Sequence, residues 1–387
     1  MRTSGIFGLL MTCFTLAQAQ PRNYWSPHTG AAERIVKAKA VNRITFPASF
    51  QLFDLNLQTL RPDLMAAVHN KAQIQLASTV ISLPNADGNL EEFEVYECSN
   101  FEPDLQARFP DIRAFSGRGL TDKKATLKLS LSPNGIQTMV FRADSETEFI
   151  EPFSKDRRVY AVFRRKREAR QLPWNCTTVE KKWVTELNNQ VVAVAAATPT
   201  SGVLRTLRLA QSCNGEYANY FGATNSSQVD SVLIAFNTTL TRCNGVYEKD
   251  LALHLNLISK TTDVIYYDPR SDPYSLRISN WNSQLQKTLT TVIGEANYDI
   301  GHLFGASGGG GNAGCIGCVC VDGSKGSGIT SPADGIPEGD NFDIDYVIHE
   351  VGHQLGANHT FSMSNEGTGQ NKEVGSGITI MGYAGIT

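Results

Sequence analysis

The chain has 387 residues, 41% hydrophobic and 19% charged, an ordinary globular composition with length for two or three domains. A net charge of −3 with no large basic block argues against nucleic acid as a partner.

Arg2 begins a positive start, Ile6 to Leu16 is apolar, and Ala17-Gln-Ala19 is a small-residue site. This pattern predicts a signal peptide over 1–19 and a secreted product. The apolar run is too short to span a bilayer, so no stable membrane insertion is expected. Residues 44 to 163 are expected to be β-rich. Leu127, Leu129 and Leu131 alternate with polar neighbours, turn at Pro133-Asn134-Gly135 and resume as a strand. "TVISLPNADGNLEEFEVYE" repeats that strand, turn, strand pattern. The basic run Arg164-Arg165-Lys166-Arg167 then separates this unit from a differently patterned one and reads as a processing site. The expected organisation is therefore a signal peptide at 1–19, a β-rich propeptide at 20–167, a linker at 168–202 and a second domain at 203–387.

From residue 203 the pattern is mixed α and β. "VLRTLRLAQ" suits a strand. Val229, Val232, Leu233, Phe236 and Leu240 share one helical face. Leu253, Leu255 and Leu257 alternate as a half-buried strand. Leu285, Leu289, Val292 and Ile293 mark a second amphipathic helix, and "DIGHLFG" a further strand. "GGGGNAGCIGCVC" reads as a glycine-rich loop leading to a short strand; it lacks the Lys-Ser/Thr of a phosphate-binding loop. His254 and His302 read as ordinary hydrogen-bonded strand histidines.

The cysteines suit an oxidising destination. Cys98 stands alone in the first half. Cys176, Cys213, Cys243, Cys315, Cys318 and Cys320 permit three bridges, and Cys315-x-x-Cys318 reads as part of a disulfide set in preference to a redox or metal pair. Asn175, Asn225 and Asn237 each fit the glycosylation pattern.

Three of the seven histidines crowd into "HEVGHQLGANH", residues 349–359. A spacing of four puts His349 and His353 on one helical face, with Glu350 beside them as a general base. On a straight helix His359 would lie about 9 Å beyond His353, so the chain must turn back, and Gly356 sits where that turn is needed. Three imidazoles leave one tetrahedral position open, the arrangement of a catalytic zinc site.

This stretch, followed by "TIMGYAG" with Met381, resembles a metzincin zinc endopeptidase. "GEYANYFG", the glycine-rich rim and "FDIDYVIHEVGHQLGANHTF" resemble the reprolysin-like secreted branch. The resemblance implies an α/β (α+β) catalytic domain with a twisted mixed sheet and an active-site helix, preceded by a β-rich pro-domain. It implies zinc held by His349, His353 and His359, Glu350 as catalytic acid/base, Met381 as an apolar floor, and polypeptide substrates held by a rim strand near 313–319. Tyr383, two residues after the turn methionine, resembles astacin- and serralysin-type members. Two readings stay open for it: a catalytic one at the zinc or oxyanion, and packing on the pocket wall. The chain ends six residues after Met381, so the lower subdomain reads as incomplete.

The function expected is peptide-bond hydrolysis by a zinc-activated water. The alternative is an inactive zinc-binding domain that recognises a partner. The propeptide is expected to inhibit until cleavage after Arg167. Cys98 is a candidate latch on the metal, with Glu97, Glu102 or Asp104 as carboxylate substitutes; the other reading of Cys98 is a buried, inert thiol.

Overall fold

The computed structural model describes residues 23–31, 34–38, 47, 49–68, 77–165, 176–179, 202–362, 372–374 and 377–383. The signal-peptide reading, Lys166-Arg167, Asn175 and most of the linker expected at 168–202 lie outside them.

The expected β-rich unit is one nine-stranded sheet. Its strands are β1 (Trp25–Pro27), β2 (Gln51–Leu55), β3 (Ser78–Pro84), β4 (Leu90–Glu97), β5 (Arg113–Gly119), β6 (Thr126–Ser132), β7 (Gly135–Phe141), β8 (Glu148–Pro152) and β9 (Val159–Arg164). They run antiparallel in the order β1-β2-β9-β8-β7-β6-β5-β4-β3. The β6–β7 hairpin pairs Ser132 with Gly135, which leaves Pro133 and Asn134 as its loop. Helix α1 (Leu57–Ala66) and the short α2 (Pro103–Arg108) complete the unit. Leu127, Leu129 and Leu131 enter a core with Phe93, Phe115 and Tyr160, as their alternation predicts. Their polar neighbours Lys128, Ser130 and Ser132 are buried too. The face that reads as solvent-facing is covered by the second half of the chain.

That second half holds five strands: β10 (Arg205–Cys213), β11 (Leu253–Leu257), β12 (Ile300–Phe304), β13 (Gly310–Asn312) and β14 (Gly328–Ser331). Their order is β11-β10-β12-β14-β13, parallel except for β13, which runs antiparallel to β14 at the edge. After the short α3 (Gly215–Tyr220), the long α4 (Val229–Leu251) packs Val232, Leu233, Phe236 and Leu240 into one core with Leu209 and Phe304. α5 (Trp281–Val292) packs Leu285 and Leu289 into another with Ala210 and Leu303. Residues 209 and 210, and 303 and 304, point to opposite sheet faces, so the two helices cover the two faces. Val292, expected in the apolar stripe of α5, is instead exposed, whereas Ile293, expected with it, is buried. A π-helical stretch, Asn341–Val347, feeds α6 (Ile348–Gln354), which carries the histidine motif.

The two halves meet on the polar face of α4. Asn100 donates to the Asn237 carbonyl and Thr241 Oγ1 and accepts from Asn244, all buried. The segment around Phe101 pairs with the exposed edge of β11, where Leu257 N–H donates to Asn100 and Glu102 N–H to Leu257. An edge strand is thereby capped by the first half of the same chain. Asn237, which fits the glycosylation pattern, is 2% exposed and donates to the Arg113 carbonyl. It is closed to modification in this fold, whereas Asn225 is exposed.

Arg242 at the centre of this face is fully buried. Its Nη2 reaches Glu151 Oε1 of the first half at 2.9 Å, and its Nη1 reaches Asp343 Oδ2 of the π-helical stretch at 2.9 Å. Removing one partner of a buried ion pair leaves an uncompensated charge, at a cost of about 3–5 kcal/mol. Arg242→Met, which strands two carboxylates, is expected to lower the unfolding free energy of the intact chain by about that amount. Urea denaturation checks it; an unchanged midpoint and slope would show that the network contributes no net stability.

Candidate metal centre and cleft

α6 is short, and its end is set by Gly356 at φ +116°, a conformation open to glycine but strained for other residues. The turn carries His359 back to the first two histidines, as the sequence required. The three Nε2 atoms form a nearly equilateral triangle: 3.1 Å for His349–His353, 3.1 Å for His349–His359 and 3.2 Å for His353–His359. His349 Nδ1 donates to the Ile380 carbonyl at 2.9 Å and His353 Nδ1 to the Ala357 carbonyl at 2.7 Å. With their protons on Nδ1, these two rings present Nε2 lone pairs to the triangle. Such lone pairs repel one another unless a cation lies between them. Tetrahedral zinc with nitrogen ligands at about 2.0–2.1 Å spaces them at about 3.3 Å, so the triangle fits that ion. Burial, first, and the other two imidazoles hold the His349 pKa well below its ordinary value, which keeps it neutral and ready to ligate.

Met381 lies beneath the helix. A Cβ added at Gly352 would come within 2.8 Å of its sulfur, so the close approach depends on that glycine. Tyr383 follows in the left-handed region, φ 58°, and its hydroxyl is 2.9 Å from His359 Nε2. Its ring stacks on those of His349 and Phe361. The hydroxyl therefore stands at the histidine triangle while the ring packs against its wall.

The rim strand is β13, Gly310–Asn312, inside the glycine run and not after it. The expected position near 313–319 is instead a set of turns closed by the Cys315–Cys318 disulfide. Glycine is required at 311 for a packing reason, since a Cβ there would lie 2.3 Å from Glu350 Oε1. Glu350 is thus wedged between α6 and the rim. Burial pushes its carboxyl up to about 8, against the opposing pull of Cys176 and Thr178.

Residues 176–179 occupy the cleft. Cys176 pairs with Gly311 of the rim in the parallel sense, and Thr177 N–H donates to the Gly311 carbonyl at 2.9 Å. Thr178 Oγ1 donates to Glu350 Oε2 at 3.0 Å and accepts from Ala313 N–H at 2.8 Å. Cys176 Sγ is 3.6 Å from His353 Nε2 and joins the three histidines as a fourth converging ligand atom. A sulfur at about 2.3 Å and a nitrogen at about 2.05 Å from one tetrahedral ion would be about 3.6 Å apart.

The latch candidate named from the sequence, Cys98, is elsewhere. Its sulfur lies against Glu248 and His254. Glu97 is paired with Arg113, and Glu102 accepts from Ser259 N–H, so neither reaches the histidines. The three-bridge expectation also fails: Cys176, Cys213, Cys243 and Cys320 are free thiols. In the sequence Cys176 is one of an even number of cysteines, and its neighbours carry no local signal for a metal. The cue was positional, a cysteine between the basic run and the first strand of the second domain. His302, read as an ordinary hydrogen-bonded histidine, is one, but it buttresses the motif helix. It donates to Gln354 Oε1 at 2.8 Å and accepts from Thr330 Oγ1 at 2.8 Å, and burial lowers its pKa to about 4.

A mixed sheet, a short helix with two histidines one turn apart, a glycine-turned third histidine and a methionine floor define the metzincin class of metallopeptidase. Residues 203–387 match the family described as metallo-peptidase family M12B, reprolysin-like, and that part of the chain is a reprolysin-like metzincin domain. No curated protein matches the chain. Among the described residues no helix is long and apolar enough to cross a membrane.

Tyr383→Phe is expected to lower kcat about 10-fold or more with little change in KM, because a hydroxyl at the triangle would act on charge that develops only in the transition state. Equal steady-state kinetics for the two proteins would return Tyr383 to a packing role.

Proposed function

We propose that the chain is a secreted zinc metalloendopeptidase, made as a latent precursor, that hydrolyses peptide bonds in polypeptides. The observation that carries this reading is the convergence of three histidine nitrogens with Glu350 beside them, in a cleft already occupied by an extended segment of the same chain. His349, His353 and His359 would hold the zinc. Bound zinc acidifies water and polarises a scissile carbonyl. Glu350 accepts the proton of the attacking water and returns it to the leaving amine. The Tyr383 hydroxyl donates to the developing oxyanion. β13 offers free edge groups to an extended substrate, the site that Cys176–Val179 fills in the precursor.

Latency then rests on Cys176. Burial, and after it the Glu350 carboxylate, push its thiol well above the ordinary value. Only a cation at the histidine triangle would draw that proton off, and the thiolate would then take the position that water needs. The consequence for activation concerns the domain boundaries. Residues 20–167 act as propeptide and 203–387 as catalytic domain, but Cys176 lies nine residues beyond Arg167. A cut after Arg167 leaves the latch tethered to the catalytic domain at high effective concentration. Release requires a cut between Val179 and Val203.

Two experiments test this. Glu350→Ala in the processed enzyme is expected to retain zinc by metal analysis and to lose at least about 10²-fold in turnover of a peptide; retained turnover at the parent rate would remove Glu350 from the mechanism. For latency, four proteins are compared on one substrate: the uncut chain, the chain cut after Arg167, the chain cut at an engineered site between 179 and 203, and uncut Cys176→Ser. The first two are expected to be nearly silent and the last two active. Full activity on cutting after Arg167 alone would overturn the role of Cys176.

A further inference from the structure

A second group of ligand atoms lies across the junction of the two halves, outside the cleft. Cys98 comes from the end of β4 in the first half; Glu248 from α4 and His254 from β11 come from the second. One ligand atom from each lies within 4.8 Å of the others. His254 Nε2 donates to the Ser99 carbonyl at 3.1 Å, which turns Nδ1 toward Glu248 Oε1 at 2.7 Å. Cys98 Sγ approaches the same oxygen at 3.8 Å. Lys128 pairs with the other oxygen, Oε2, and is itself fixed by Ser116 at 2.7 Å. The carboxylate is therefore oriented from behind, and the imidazole is oriented by a backbone carbonyl. Those are the outer contacts that set a metal-ligating histidine and carboxylate.

The group concentrates electron pairs. With Nε2 protonated for Ser99, the Nδ1 lone pair, Oε1 and the sulfur all face one small, mostly buried volume. Something positive must sit there, either the protons on His254 Nδ1 and on the Cys98 sulfur, both directed at Oε1, or a metal ion that replaces them. The protonated form is accounted for: burial opposes the charge on His254, but Cys98 and Glu248 outweigh it and raise the pKa to about 9. The same partners accommodate a divalent ion if Nδ1 and Oε1 part from 2.7 Å to about 3.3 Å. One sulfur, one imidazole and one carboxylate suit zinc better than calcium or magnesium, which favour all-oxygen sites.

We propose that Cys98, Glu248 and His254 bind a zinc ion that staples the first half of the chain to the reprolysin-like domain. Binding displaces one proton from the Cys98 thiol and one from the His254 imidazolium; no bond other than these two is broken. The site holds the halves together independently of the cleft, so it stands or falls apart from the peptidase reading. Loss of Cys98 with the first half leaves only two ligands, and the ion is released with it.

The test uses the full chain carrying Glu350→Gln and Cys176→Ser, which removes self-digestion and the thiol at the histidine triangle. Cobalt(II) is the probe, because thiolate coordination gives an intense near-ultraviolet charge-transfer band. The expected result is such a band, together with a bound-metal count by mass spectrometry that falls by one per chain when Cys98→Ser is added, with loss of the band. His254→Gln in the same background repeats the measurement if the serine variant does not fold. A band or metal count indifferent to both substitutions overturns the site and leaves a proton alone between Nδ1 and Oε1.

Discussion

Three imidazole nitrogens held 3.1–3.2 Å apart are the constraint from which the rest of the cleft follows. The arrangement has no intrinsic stability: buried lone pairs pointed at one another repel, and burial denies them water. The carbonyls of Ile380 and Ala357 fix the tautomers that make the repulsion. Gly356 permits the turn that brings the third ring in, and Gly352 permits Met381 to close the floor. None of these features improves packing for its own sake. Together they describe a pocket whose polypeptide is shaped to accept a cation.

The same logic reaches the junction of the halves. A free-standing domain would turn the polar face of α4 to water. Here Asn237, Thr241, Arg242 and Asn244 are buried, each tied to the first half of the chain or to the π-helical stretch before α6. Arg165, from the basic run itself, reaches Asp345 on that stretch and Asp340 just before it. The first half is thus bound by buried ionic and amide contacts, which specify position sharply and contribute modest net stability. Such an interface survives while both surfaces are covered, and it leaves water-compatible groups exposed when they separate.

Local chemistry was legible in the sequence, and long-range pairing was not. The histidine spacing fixed the helix, the glycine turn and the third ligand position, because each depends on a few consecutive residues. The β6–β7 hairpin and the stripes on α4 and α5 were readable for the same reason. The rim strand was misplaced because its three residues, Gly310–Asn312, carry no alternation and no β-branched side chain. Val292 was misassigned because it lies at the last position of α5, where the chain leaves the helical period. Which cysteine stands at the histidines is not legible in the sequence, because it depends on what the fold brings beside each: His353 beside Cys176 and Glu248 beside Cys98, residues about 150 to 180 positions away.

The place of Cys176 in the chain bears on how the proposed latency would work physically. A latch in the first half would have been removed with the folded nine-stranded sheet, and inhibition would have been a matter of domain affinity. With Cys176 in the connecting segment, the latency proposed above would depend on a four-residue stretch bound in the cleft by two threonines and a sulfur. So short a stretch buries little area, and separated from both halves it would bind weakly. It holds because the chain is continuous on both sides, anchored through Arg164 and Arg165 upstream and β10 downstream. Cutting one side relaxes the tether without abolishing it, whereas cutting the other converts an intramolecular ligand into one that dilution can remove. On the proposed reading, the position of the cut, more than the strength of any contact in the cleft, would therefore decide whether the site opens.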